Sequence, residues 1–395
     1  MRLPKINLLV KILIAIALGI LAGYTLPIWL DRLFATFNGI FNQFLGFLIP
    51  LLIVGFVAPA IAEIGNKAGK MLIATAALAY LSTSLAGFMS FGLSDFIFPH
   101  LITPHSLGDL GTGHDLEPYF VVIIPPLMDV MSALTLAFLM GIALAYLPGN
   151  TLKSGFVEFR EIISLAISKV IIPLLPLYIF GIFLNMTVSG QVATVLSAFM
   201  KIILIIFAMS FLLLIIQFSI AGLVAKRNPF KLLWTMLPAY FTALGTQSSA
   251  ATIPVTLRQA IKMGVSEETA GFVIPLCATI HMSGSAMKIV ACAVALMLME
   301  GMPYDAGMFA TFICMIGISI VAAPGVPGGA IMASLGLLAS FLHFSEANQA
   351  LMIALYIAMD SFGTACNVTG DGFIAVIINK CFPTKKNKDE ELILE

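Results

Sequence analysis

The sequence predicts an all-α polytopic membrane protein with eight transmembrane helices and two re-entrant helical hairpins arranged as an inverted repeat. Three observations support this fold class. Of the 395 residues, 60% are hydrophobic and 10% are charged, whereas soluble domains carry roughly 25% charged residues. Apolar stretches of about 20 residues, the length that crosses a bilayer, recur along the chain. After residue 228, glycine, serine, threonine and proline interrupt these stretches, so continuous helices do not explain the second half.

Six uninterrupted apolar spans account for the first half of the chain. They are residues 8–27, 36–64, 71–94, 119–147, 162–186 and 192–225. The first span has a basic start but contains Lys11 and lacks a small-x-small cleavage pattern. We therefore expect a transmembrane helix there rather than a signal peptide.

The basic residues predict the orientation of the chain. With a cytoplasmic N-terminus, most of the 20 Lys and Arg residues lie on the inner side and Arg32 lies outside, as the positive-inside rule requires. Segment 229–260 has basic residues at both ends, so we expect a hairpin that enters and leaves on the cytoplasmic side. Segment 305–341 has none at either end, and we expect a hairpin that enters from outside. Both termini are then cytoplasmic, in a bacterial inner membrane.

Each hairpin is followed by a further apolar segment, helix 268–299 after the first and helix 347–380 after the second. Such inverted repeats are typical of secondary transporters, whose substrate and ion sites lie near the bilayer midplane at the interrupted segments. Irregular backbone at that depth is tolerated only where protein or a water-filled cavity covers it. The site is therefore expected where the interrupted segments meet.

Two small-residue motifs in these segments suit ligand binding. Gln247, Ser248 and Ser249 fall at the tip of the first hairpin, where hydroxyl and backbone N–H groups at a helix start can bind a carboxylate. In helix 268–299, Gly284 between two serines permits an unwound turn whose carbonyls could bind a cation. Close packing of small residues between membrane helices is the alternative explanation for Ser248 and Ser249.

The segment DSFGTACNVTGD, residues 360–371, carries the strongest functional signal. Asp360, Thr364, Asn367 and Asp371 follow i, i+4, i+7, i+11 spacing, so they share one helical face. Ionisable groups at membrane depth are costly and mark a substrate or ion pathway by default. We expect a substrate ammonium at Asp360 and a cation at Asp371, unless a structural ion pair with Lys288 explains the charge.

These motifs, in this order, resemble those of the dicarboxylate/amino acid:cation symporter family, the bacterial relatives of glutamate transporters. The resemblance covers nearly the whole chain and is strongest over residues 242–380. The QSSAATIPV and DSxxTAxN pieces are similar to the serine/threonine-transporting branch. The resemblance implies a homotrimer and an elevator-type mechanism. It implies that residues 1–64 and 119–190 form the scaffold, and that residues 65–98 and 191–395 form the transport domain.

The family resemblance also implies roles for individual residues. Asp360 matches the residue that binds the substrate amino group, Thr364 and Asn367 match substrate contacts, and Asp371 matches a sodium-ligand carboxylate. The implied substrate site further includes residues of the two hairpin tips, namely Gln247, Ser248, Ser249, Val326, Pro327 and Gly328. The implied cation site further includes residues of the third helix and of the HMS motif, namely Tyr80, Thr83, Ser84, His281, Met282 and Ser283.

Two departures from the family pattern affect the expected substrate and ions. Gly363 stands where members with acidic substrates have an arginine, and neither Gln247 nor Ser361 replaces it. A neutral amino acid such as serine, threonine or alanine is therefore the favoured substrate. In addition, His281 and Ser283 replace an asparagine and an aspartate that help to hold sodium, so one cation site has lost its carboxylate.

Lys288, seven residues after His281, leaves several interpretations open. Lys288, with His281 if protonated, could replace a bound sodium ion with a built-in charge. His281 could instead carry the coupling proton, since imidazole titrates near neutral pH. Lys288 could take over the role of the missing arginine and bind the second carboxylate of an aspartate, glutamate or C4-dicarboxylate substrate. Lys288 could also form only a structural pair with Asp360 or Asp371, beside a neutral His281.

Other functional classes fit the sequence less well. A channel would not need two inverted hairpins that meet at one occluded site. An intramembrane enzyme would need a nucleophile with its base, and no GxSxG motif is present. The zero formal net charge gives no reason to expect a nucleic-acid partner. The expected ligands are thus a small molecule, a coupling cation (Na+ favoured, H+ as the alternative) and the lipid bilayer, with no cofactor.

Overall fold

The computed structural model describes residues 8–64, 69–104, 117–320 and 328–383. Within these ranges the protein is helical and has no strand, which confirms the predicted all-α class. The first seven helices are α1 (Leu8–Thr25), α2 (Ile28–Ile64), α3 (Lys70–Ile97), α4 (Val130–Tyr146), α5 (Thr151–Ala166), α6 (Ile172–Val188) and α7 (Val192–Ala225). The next eight are α8 (Pro229–Thr246), α9 (Ser249–Lys262), α10 (Glu267–Ile280), α11 (Ser283–Glu300), α12 (Ala306–Ser319), α13 (Gly329–Leu342), α14 (Glu346–Ala358) and α15 (Asp360–Cys381).

The apolar helices confirm an integral membrane protein. In the described part of the chain, 7 helical segments are long and apolar enough to cross a membrane. The second segment starts at Ile28, earlier than the expected residue 36, because Pro27 has the fixed φ that suits the start of a helix. Residues 117–129 are not helical, so the span expected from 119 begins only at Val130. Pro125 and Pro126 lack the N–H groups that a helix needs there.

The first half of the chain forms a group of helices around α2 and α6. α2 packs against α4, α5 and α6, and α1 packs along α6. Glycines bring α1 and α6 close together, because a Cβ added at Gly23 would lie only 2.6 Å from Cβ of Thr187. Small residues at such contacts let membrane helices approach closely.

The second half contains the same series of elements twice. Helices α8 and α9 form the first hairpin and precede α10 and α11, while α12 and α13 precede α14 and α15. The two helices expected as single segments, 268–299 and 347–380, are each broken in the middle. The first break lies at His281 and Met282, and the second at Met359.

Helix α15 lies at the centre of this half. It packs against α7, α8, α9, α10 and α11. In α15, 94% of the most apolar stretch of 18 residues is buried inside the protein, and the same holds for the segment formed by α10 and α11. In α1 the buried share is 17%. The two breaks are therefore enclosed by other helices rather than exposed to lipid.

The helix starts differ in how their free backbone N–H groups are satisfied. Five helices of the repeats follow a residue whose side chain accepts a hydrogen bond from the first turn, namely Asn228, Ser248, Ser266, Asp305 and Ser345. Such N-caps are the usual solution at helix starts. The residues that precede α11 and α15, Met282 and Met359, have no capping side chain. Other parts of the protein must therefore supply acceptors at the breaks.

Candidate functional site

Asn367 of α15 supplies the missing cap of α11. Its Oδ1 accepts hydrogen bonds from the backbone N of Gly284 at 2.8 Å and of Ser285 at 3.3 Å. Its Nδ2 donates to Oγ of Ser285 at 3.0 Å. Two residues before Gly284, the backbone N of Met282 donates to Oγ1 of Thr83 on α3 at 3.3 Å. Side chains from two other helices thus satisfy the broken backbone, as burial at membrane depth requires.

Gly284 has a different role from the one expected. It lies inside α11, and the unwound turn is at His281 and Met282. A Cβ added at Gly284 would lie 2.7 Å from Cβ of Cys366 and 2.8 Å from the carbonyl O of Gly363. Glycine is therefore needed at 284 because α11 and α15 are in backbone contact there.

Asp360 and Lys288 form a buried ion pair. Nζ of Lys288 lies 3.4 Å from Oδ1 of Asp360 and donates to the carbonyl O of Met359 at 3.3 Å. It also lies 3.8 Å from the centre of the Tyr356 ring. The other carboxylate oxygen, Oδ2 of Asp360, accepts a hydrogen bond from the backbone N of Gly328 at 2.9 Å. Asp360 therefore joins the break in α14–α15 to the start of α13.

His281 and Asp371 form a second buried pair. Nδ1 of His281 lies 3.1 Å from Oδ1 of Asp371, and its Nε2 lies 3.1 Å from Oγ of Ser82 on α3. Nε2 of Gln217 on α7 donates to Oγ of Ser82 and to Oγ of Ser283, both at 3.1 Å. The two carboxylates of α15 thus have separate partners, both from the α10–α11 segment.

The tip of the first hairpin contacts the start of α15. Gln247 has a left-handed backbone, with φ of 53°, and its Nε2 donates to Oγ of Ser361 at 2.5 Å. Oγ of Ser248 accepts a hydrogen bond from the backbone N of Ala251 at 3.2 Å and so caps α9. The second serine, Ser249, is the first residue of α9. The tip therefore presents the N-terminus of a helix to the site.

A small cavity lies between these elements and has a volume of about 40 Å³, which holds only a few water molecules. Most of the residues expected to contact substrate line it, together with neighbours from α10, α11, α13 and α14. The lining residues are Gln247, Ser248, Ser249, Ala278, Met282, Ser285, Gly328, Gly329, Ala330, Tyr356, Asp360, Thr364 and Asn367.

The remaining expected site residues lie around this cavity or elsewhere. Lys288 contacts Asp360, and Gly363 lies against the Lys288 side chain. His281 and Asp371 form the second pair, and Ser283 accepts a hydrogen bond from Gln217 beside it. Tyr80 donates from its hydroxyl to the carbonyl O of Cys314 on α12 at 3.2 Å, whereas Thr83 caps the break. Ser84 is buried on α3. Val326 and Pro327 lie outside the described residues. The described residues contain no cluster of three or more His, Cys, Asp or Glu side chains suited to a metal ion.

Three residues of the site were missed from the sequence. Ser82 and Gln217 complete the network of His281, and Tyr356 covers the Lys288 ammonium and donates from its hydroxyl to Oγ of Ser285 at 3.0 Å. Gln217 was detectable, since it is an amide in the long apolar helix α7 and buried polar groups there need partners. Ser82 and Tyr356 gave no comparable signal, because serine and tyrosine are ordinary residues in membrane helices.

The sequence matches a known protein family along almost its whole length. The model of the sodium:dicarboxylate symporter family matches residues 8–381. The chain belongs to this family. The resemblance inferred from the sequence motifs is thereby confirmed, and family membership makes the protein a transporter and not an enzyme.

Individual relatives agree with this assignment. The chain is 27% identical to the serine/threonine transporter SstT of Acinetobacter baylyi, over 97% of this chain and 99% of the relative. It is 28% identical to SstT of Streptococcus suis, over 83% of this chain and 93% of the relative. It is also 28% identical to SstT of Acinetobacter baumannii strain AYE, over 93% and 95%. The likeness therefore extends over both halves of the chain.

Replacing Asn367 with leucine should destabilise the protein by about 1–3 kcal/mol, because the N–H groups of Gly284 and Ser285 would be buried without acceptors. Thermal unfolding of the purified protein in detergent measures the effect. Thr369→Val is the matched control on the same helix, since the Thr369 hydroxyl bonds only to the carbonyl O of Ala365 within α15. Equal unfolding temperatures for the two variants would contradict the assigned role of Asn367.

Proposed function

We propose that the protein is a secondary active symporter that moves a small neutral amino acid, serine or threonine in type, together with a cation. The observation that carries this proposal is the cavity beside Asp360. It is small, it is lined by hydroxyl, amide and carboxylate groups, and the residues lining it include no basic side chain. A substrate with one ammonium, one carboxylate and a short polar side chain fits such a lining.

Each group of a serine molecule has a matching partner in the cavity. The carboxylate of Asp360 suits the substrate ammonium. The N-terminus of α9, at Ser249, and that of α13, at Gly329, suit the substrate carboxylate, because free N–H groups and the helix dipole attract anions. The hydroxyl group of Thr364 can bond the side chain of the substrate.

An acidic substrate is less compatible with this arrangement. A second carboxylate would need a cation in the cavity, and Lys288 already contacts Asp360, Met359 and the Tyr356 ring. The relatives named as serine/threonine transporters also favour the neutral substrate. Transport of aspartate, glutamate or a C4-dicarboxylate, with Lys288 released to bind it, is the alternative that the uptake assay tests.

The coupling cation is proposed to be Na+. The family is described as sodium symporters, and hard oxygen ligands are available near the break of α10–α11, where the helix leaves carbonyl groups free. The oxygen-bearing side chains proposed to contribute are Asn367, Asp371, Ser283, Thr83, Ser84 and Tyr80. Backbone groups of His281 and Met282 complete the proposed set. Coupling to H+ through His281 is the second candidate, because its imidazole contacts Asp371.

Transport is proposed to follow an elevator mechanism in a homotrimer. The helices α1, α2, α4, α5 and α6 pack together as the scaffold, and α3 packs on α11 and α12 as part of the transport domain. The repeated order of hairpin and broken helix supports two inverted repeats, with hairpins that enter from opposite sides. The positions of the basic residues support cytoplasmic termini.

Purified protein in liposomes should take up labelled serine when an inward sodium gradient is applied. Unlabelled threonine and alanine should compete with serine, and aspartate should not, because the cavity offers no second cation. Uptake driven by a proton gradient without sodium would favour proton coupling instead. Aspartate uptake as fast as serine uptake would overturn the proposed substrate class.

Thr364→Val should raise the KM for serine about tenfold while changing kcat little, since it removes one hydrogen bond to the substrate side chain but no charge. Serine uptake measured over a range of concentrations gives both constants. Thr369→Val, five residues further along α15 and outside the cavity, is the control. A KM for Thr364→Val equal to that of the control would show that Thr364 does not contact the substrate.

A further inference from the structure

The ammonium group of Lys288 is completely enclosed, and groups of the protein itself are its partners. The side chain is 0% exposed. Its three N–H donors have three acceptors within reach, which are Oδ1 of Asp360, the carbonyl O of Met359 and the face of the Tyr356 ring. An ammonium bound to a carboxylate and to an aromatic face is well stabilised in a desolvated site.

Both carboxylate oxygens of Asp360 in turn have partners in the protein. Oδ1 contacts Lys288 and Oδ2 accepts from the backbone N of Gly328. Its neighbour on α15, Asp371, contacts the imidazole of His281 instead, so the charge of Lys288 is not shared between the two carboxylates. The charge of Asp360 therefore has a counter-charge from the protein itself.

Gly363 makes the position of Lys288 available. A Cβ added at Gly363 would overlap Cε and Nζ of Lys288. A side chain at 363 and the ammonium of Lys288 therefore compete for one space. The glycine at 363 and the lysine at 288 form a matched pair, in which the missing side chain leaves room for the cation.

We propose that Lys288 is a built-in counter-ion of Asp360 that takes the place of one bound cation in the substrate-free carrier. A carboxylate without a counter-charge is energetically unfavourable at membrane depth. Removal of one partner of a buried ion pair leaves the other charge uncompensated and destabilises the protein. A transporter that returns across the membrane with an empty site must neutralise its carboxylates with bound ions or with its own side chains. Lys288 does so for Asp360 without an ion.

The consequence of this inference for transport rests on the proposed function. That consequence is that a zwitterionic amino acid binds beside an Asp360 whose charge Lys288 already neutralises. The site then needs one coupling cation fewer than it would need without Lys288. The inference about the empty carrier, however, depends only on the contacts of Lys288. It is therefore tested without substrate, so that its failure and the failure of the proposed transport activity are separate results.

The test measures how strongly sodium raises the unfolding temperature of the purified, substrate-free protein, with an inert organic cation keeping the ionic strength constant. In Lys288→Met, Asp360 loses its counter-charge and should recruit a sodium ion. Each additional sodium site adds its own binding free energy to the folded state. The sodium-dependent rise in unfolding temperature should therefore be about twofold larger in Lys288→Met than in the wild type. Lys169→Met, which removes an exposed lysine of another membrane helix, should respond like the wild type.

Two further variants make the outcome decisive. Gly363→Ala retains every charge but forces the Lys288 ammonium away from Asp360, so it should also show the larger sodium response. The double variant Lys288→Met with Asp360→Asn removes both charges and should return to the wild-type response. It should also fold if Lys288→Met alone does not. The proposal is overturned if both Lys288→Met and Gly363→Ala show the sodium response of the wild type. If Lys288→Met does not fold, a wild-type sodium response of Gly363→Ala is sufficient to overturn it.

Discussion

The structure around the site depends on one constraint, which is that backbone groups exposed by broken helices cannot remain unpaired at membrane depth. The break at His281 and Met282 leaves the first N–H groups of α11 without local partners. Asn367 and Thr83, from two other helices, accept those hydrogen bonds. The same side chains that repair the backbone also hold α3, α11 and α15 in fixed positions. The cavity lies between these broken helices and the two hairpins.

Buried charged groups need partners within the protein, as the buried backbone groups do. Helix α15 carries Asp360 and Asp371 in a buried setting, and each carboxylate has a cationic or hydrogen-bonding partner from the α10–α11 segment. Asp360 also binds the start of α13 through Gly328. A ligand that approaches Asp360 therefore acts on a group that links a broken helix to the second hairpin.

The sequence was sufficient to predict the helical class and the apolar helices, since these follow from hydrophobic length. The face shared by the polar residues of α15 follows from their spacing along one helix. Which groups pair across helices could not be predicted in this way. The spacing of Lys288 allowed a partner in either Asp360 or Asp371, and only the three-dimensional arrangement of α11 and α15 assigns it to Asp360. The break at His281 rather than at Gly284 was missed because glycine signals both flexibility and close packing. Here close packing against Cys366 is the reason for the glycine.

The proposed substrate class depends on a cavity beside Asp360 whose lining includes no basic side chain. Calorimetric titration of the purified protein with serine and with aspartate, each in the presence and absence of sodium, tests it most directly. We expect heat of binding for serine that requires sodium, and none for aspartate. Aspartate binding as tight as that of serine, or serine binding unaffected by sodium, would contradict this interpretation of the site.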